Sequence, residues 1–131
     1  MASSVVETHA RRGEIGVVTL TATCHTDGTF TSTALETEIS GELLQIETDP
    51  GATAPTANYD VTITDQNGLD VLQGVGANRH TTTTELANIV FSGTNVHPVV
   101  HRSDTLTLVI AGNSVSGAII VIKLYYRGTH D

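Results

Sequence analysis

Asp65, Asn67 and Asp70 gather around Gly68 in "DQNGLD", and oxygen donors converging on a turn are what a hard cation such as calcium needs. The spacing argues against it. A calcium loop counted from Asp65 needs glycine at its sixth position and a bidentate glutamate at its twelfth. This chain has Gly68 at the fourth and Gly76 at the twelfth. Asn67-Gly68 between two alternating apolar runs is also a strong hairpin signal, because both residues tolerate positive φ. The group reads as a turn.

The six histidines raise the same question of a metal. His97 and His101 would share a face of a helix, but Pro98 opposes helix there. On a strand they stand about 13 Å apart, too far to share one ion. His25 and His80 are isolated, and His9 and His130 lie near the ends. Cys24-His25 cannot act as nucleophile and base, since neighbours on a strand point to opposite faces. Cys24 shares the apolar side of Val18 and Leu20 and reads as a buried structural thiol. As the single cysteine it excludes an intrachain disulfide and a multi-cysteine zinc site. "GVGANR" precedes no helical pattern, so it is not a phosphate loop. Ser92, Ser114 and Ser116 lack a nucleophile elbow. The residues read as a non-enzyme without a cofactor.

The elements that would position these groups are strands. "EIGVVTLTATCHTDG" alternates, with Val18, Leu20, Ala22 and Cys24 on one side, and closes at Asp27-Gly28. "GTFTSTALETEIS" is weaker, anchored by Phe30 and Leu35. "GELLQIETD" sets Leu44, Ile46 and Thr48 opposite Leu43, Gln45 and Glu47. In "DPGATAPTANYDVTITDQNG", Pro50-Gly51 and Pro55 are expected to form a rigid corner. Tyr59, Val61 and Ile63 then feed the core, and Asn67-Gly68 reverses the chain. "LDVLQGVGANRHTTTTEL" is a short strand and a polar loop, and "ELANIVFSG" is a strand ending at Gly93. "NVHPVVHRSD" is extended and irregular because Pro98 cannot donate to a ladder. "DTLTLVIAGN" points Leu106, Leu108 and Ile110 inward.

The expectation is one all-β domain, a β-sandwich, jelly-roll-like or barrel, of seven or eight antiparallel strands. Its parts are an N-terminal arm over residues 1–13, the β domain over 14–128 and a tail over 129–131. The arm has only Val5 and Val6 as apolar anchors and is expected to order against a partner. The last strand, "SGAIIVIKLYYRG", carries Ala118, Ile120, Ile122, Leu124 and Tyr126 on one side and Ile119, Val121 and Tyr125 on the other. Apolar character on both sides means either a central strand under loops or a subunit interface.

Composition narrows the partners. At 131 residues the chain can close one hydrophobic core. Its net charge of −8, with six Lys+Arg and Arg11-Arg12 the sole adjacent basic pair, argues against nucleic acid. No apolar run approaches the roughly 20 residues of a membrane span, and the first residues do not form a signal peptide. Abundant threonine and valine with one lysine favour strand over helix.

The block "GELLQIETDPGATAPTANYDVTITDQNGLDVLQGVGANR" resembles a family of small structural proteins from tailed-bacteriophage virions. The matching motifs are Ile39–Gly41, Pro50–Asp60, Asp65–Leu72 and Gly76–Arg79. "SDTLTLVIAGNSVSGAIIVIKLYYRG" is similar to the family's closing hairpin, and the resemblance spans about residues 13–128. It implies a capsid decoration (cement) protein on the outer capsid surface, made in the bacterial cytoplasm, binding itself as a trimer and the major capsid protein. Expected contacts are Val5, Val6, Arg11, Arg12, His97, Pro98, Val99, Ile119, Val121 and Tyr125. A neck, adaptor or tail-assembly component is the nearest alternative. A carbohydrate-binding module is another, disfavoured because the chain has no Trp and few aromatics.

Overall fold

The computed structural model describes residues 2–130, apart from the side chain of His130. Met1 and Asp131, the outermost residues of the expected arm and tail, lie outside the described residues. The described chain is all-β, with no helix. Its strands are β1 (Ser4–Arg12), β2 (Ile15–Thr23), β3 (Thr33–Ala34), β4 (Ile39–Pro50), β5 (Asp60–Thr64), β6 (Glu85–Asn88), β7 (Val99–Val100), β8 (Thr107–Ala111) and β9 (Ile119–His130). A six-stranded sheet runs β1-β2-β9-β4-β6, with β7 also on β4; a three-stranded sheet runs β3-β8-β5. All pairings are antiparallel. Nine strands stand where seven or eight were expected. β1 and the two-residue β7 are additional, β3 is what forms of "GTFTSTALETEIS", and β6 ends at Asn88 short of Gly93. The short strand expected in "LDVLQ" is a run of turns in which Asp70 alone bridges Thr64.

Alternation builds the core. Val18, Leu20 and Ala22 of β2 and Ile120, Ile122, Leu124 and Tyr126 of β9 are buried. From the smaller sheet, Val61, Ile63, Leu108 and Ile110 join them in one cluster. Burial of each large side chain stabilises by roughly 1.5–3 kcal/mol. Cys24 is buried in the same cluster, and desolvation pushes its thiol pKa up against a hydrogen bond with Asn113.

The expected facing of β4 changes partway along it. Leu43 faces Tyr126, yet Gln45 faces Tyr125, so a bulge at Leu44 shifts the register. Ile39, Leu43, Ile46 and Thr48 are therefore the buried side chains of β4, and Leu44 is only half-buried. One extra residue reverses the parity of everything after it.

The segment expected as an arm is β1, paired with β2 from Ser4↔Thr23 to Arg12↔Ile15. The reason is the two-residue turn Gly13-Glu14. Gly13 has φ +61° while Glu14 is not left-handed, the pattern of a type II′ hairpin. Glu7 secures the strand from within: its carboxylate accepts the N–H groups of Glu36 at 2.7 Å and Thr37 at 3.1 Å. Thr129 and His130 likewise continue β9, facing Ser40 and Ile39, where a tail separate from the β domain was expected.

The expected corner at Pro50-Gly51 is a strand end. Gly51 N–H donates to Ile119 O at 2.7 Å, and Ile119 N–H donates to Thr53 O at 2.9 Å, so the chain follows β9 past Pro50. Asp65–Leu69 is a hairpin turn, but Gly68 alone has positive φ, at +82°. Asp65 N–H donates to Leu69 O at 2.9 Å, giving a three-residue loop in place of the Asn-Gly I′ turn.

Candidate interaction face

The register of the large sheet places its outward side chains in rows. One row is Arg12, Ile15, Arg127, Glu42 and Val99. The next, Ala10, Val17, Tyr125, Gln45 and Asn88, carries no charge. Beyond it come Thr8, Thr19, Lys123, Glu47 and Leu86, then Val6, Thr21, Val121 and Asp49. Across β9 and β4, Arg127 Nη1 stands 3.9 Å from Glu42 Oε1 and Lys123 Nζ 3.8 Å from Glu47 Oε2. These half-exposed pairs are worth about 0–1 kcal/mol each. They align the face more than they stabilise the fold.

Two grooves meet at Tyr125 and Ile15. One, of about 350 Å³, is lined by Leu44, Gln45, Asn88, Val90, Asn95 and His97 as well. Gln45 Nε2 donates to Asn88 Oδ1 at 3.0 Å. His97 Nδ1 is 2.7 Å from Ile89 O; a carbonyl only accepts, so Nδ1 carries the proton. The other groove, of about 240 Å³, adds Ala10, Arg11, Arg12, Gly16 and Val17.

Of the residues expected to make contacts, Val6, Arg12, Val99, Ile119, Val121 and Tyr125 share this outward face. Val6 is 62% exposed and Val99 73%. His97 joins Tyr125 in the larger groove. Two others lie elsewhere: Val5 packs toward the core, and Pro98 is buried with its carbonyl accepting Leu43 N–H. Arg11 lines the smaller groove and hydrogen-bonds the Tyr126 phenol. Burial raises the Tyr126 pKa, and the Arg11 bond and charge oppose that rise. Periodicity missed Ile15, Gln45 and Asn88, because only the pairing of distant strands brings them to Tyr125.

The other chemical candidates serve the scaffold. Asp65 Oδ1 accepts Asn67 and Leu69 N–H at 2.9 and 3.0 Å. Asp70 accepts Ile63, Leu72 and Gly74 N–H at 3.2, 3.0 and 2.9 Å. Both aspartates considered for calcium thus accept backbone amides. Among the described residues no cluster of three or more His, Cys, Asp or Glu is arranged to hold a metal. His25 bridges Ser3 N–H and Thr31 Oγ1, at 2.7 and 2.6 Å. His80 Nδ1 accepts Thr82 and Thr83 N–H at 3.1 and 2.9 Å, and His101 Nδ1 lies 2.8 Å from Ser103 Oγ.

No protein-family model, curated protein or solved structure matches the chain.

Proposed function

We propose that this protein is a virion component of a tailed bacteriophage that decorates the outer capsid surface and reinforces contacts between major capsid subunits. The observation that carries a binding role is the outward face of the large sheet. There the central strand presents Ile119 and Val121 at one end and, past Lys123, Tyr125 beside Val17 and close to Ile15, with Val6 in the row of Val121. Water on such a surface is displaced at a gain of about 25 cal/mol per Å² of apolar area covered. The kind of partner comes from the sequence resemblance, through Pro50–Asp60 and Gly76–Arg79. We read the two sheets as a β-sandwich whose larger layer does the docking.

In this reading three copies associate through the 119–125 surface, and the remaining outward surface contacts capsid subunits. Each contact is weak. Several contacts per oligomer, repeated over a shell, act by effective concentration. A net charge of −8 suits a part held away from packaged nucleic acid.

Quantifying this chain against the major capsid protein in purified particles tests the reading. Near-stoichiometric amounts are expected, with the Val121→Asp variant lost from particles while still folded. A handful of copies per particle would overturn it in favour of a neck or tail part. Light scattering of the free protein tests the trimer, and a stable monomer at all concentrations removes it.

A further inference from the structure

We infer that β1 is a self-complementary edge through which two copies of this chain pair, antiparallel, about a two-fold axis at Thr8. β1 is nine residues long and ends the large sheet. Among the described residues, no backbone hydrogen bond outside the β1–β2 ladder engages Ser4–Arg12. It contains no proline and its register with β2 is unbroken. A long regular edge of this kind is a template for another strand unless something on it opposes pairing.

The charges on β1 would be the opposing device, but in one register their order keeps like charges apart. Residues directly opposite in an antiparallel pair lie on the same face, so a two-fold contact must centre on a residue. Thr8 is the midpoint of Ser4–Arg12, and centring there uses the whole strand. That register sets Ser4 against Arg12, Val5 against Arg11, Val6 against Ala10, Glu7 against His9 and Thr8 against itself. No like charges meet, and Thr8 on Thr8 is a pair type that stabilises adjacent strands. Moving the axis to Glu7 opposes two carboxylates; moving it to His9 opposes two imidazoles, and each shift shortens the overlap. The sequence therefore selects one occupant, a second copy, and one register.

The axis stands perpendicular to the sheet, so both small sheets lie on one side and the two outward faces join into one surface. The contact is separate from the threefold packing proposed above and does not depend on a virion role. Edge pairing through β1 uses a different part of the protomer from the 119–125 surface.

Cysteine scanning under oxidised glutathione tests the pairing, since the native Cys24 is buried. Thr8→Cys is expected to cross-link two full-length chains rapidly, because identical residues face each other across the axis within disulfide range. Val6→Cys and Ala10→Cys, on the same face of the same strand, are expected to cross-link only at the collision rate. The Val6→Cys/Ala10→Cys double variant is expected to match Thr8→Cys. Equal rates for Thr8→Cys and the two single controls overturn the proposal, as does a double variant no faster than its parents. Failure of the trimer shows separately, as loss of threefold mass in light scattering while the Thr8→Cys cross-link persists.

Discussion

The large sheet ends differently on its two sides. Beyond β4 the sheet is stopped by geometry. β6 and β7 are four and two residues long, and Pro98 precedes β7. The Leu44 bulge accepts a single bond from Ile89 N–H at 2.9 Å between them. Short strands, a proline and a bulge are what keep an edge from recruiting another strand. β1 has none of these and carries only charge. A geometric stop excludes every incoming strand, whereas a charged stop excludes only strands of the wrong pattern. The first ends a sheet; the second selects a partner.

Mutations can sharpen that contrast, beginning where the stopped side is least forgiving. Gly41, at the start of β4, has φ +143°, and an added Cβ would collide with Arg127 O. Gly41→Ala is expected to cost roughly 3 kcal/mol or more, read as a lower urea midpoint. On the open side, Glu7→Ala leaves the Glu36 and Thr37 N–H groups without their acceptor. It is expected to cost about 1–3 kcal/mol and to speed amide exchange along β1.

Tyr126→Phe removes the bond that ties Arg11 of β1 to the inner layer, at about 0.5–1.5 kcal/mol. It also alters the pH dependence. The Tyr126 pKa is raised in the folded state, so its stabilising contribution is complete below the ordinary value of about 10. That contribution is lost as pH rises through the raised folded value. Tyr59, raised by burial in the same direction, makes a similar loss. Urea midpoints from pH 8 upward are expected to fall above about pH 10, less steeply in Tyr126→Phe. The smallest effect belongs to Thr8→Lys. The side chain is exposed, so protomer stability should stay within about 0.5 kcal/mol of the parent, while two ammonium groups at the axis weaken edge pairing.

Strands with one buried face were legible in the sequence. Val18–Leu20–Ala22, Leu106–Leu108–Ile110 and the inward set of β9 alternate because each packs on one core. β1 was not legible as a strand, since most of it is exposed and no apolar period results. The information was in Gly13-Glu14, whose hairpin geometry holds without a buried face. The facing of β4 was misread because a bulge leaves no mark in an apolar pattern that already runs Leu43-Leu44. For the interaction face, parity gave Tyr125 its outward side. The grooves beside it depend on β2, β4 and β6 arriving from distant parts of the chain.

The strand register also fixes how the molecule carries load. Ser4 lies in the row of Thr23 and Ile119, while His130 lies beside Ile39 at the opposite end of the sheet. β1 and β9 run in the same direction on either side of β2. Tension between these two points therefore pulls along the strands and shears the β1–β2 and β2–β9 ladders. Their hydrogen bonds are loaded together, and none can be unzipped one at a time from a fork. Rupture under such force is governed by the unfolding rate rather than by equilibrium stability. The sheet is built as a strap, strongest along the line that joins its own ends.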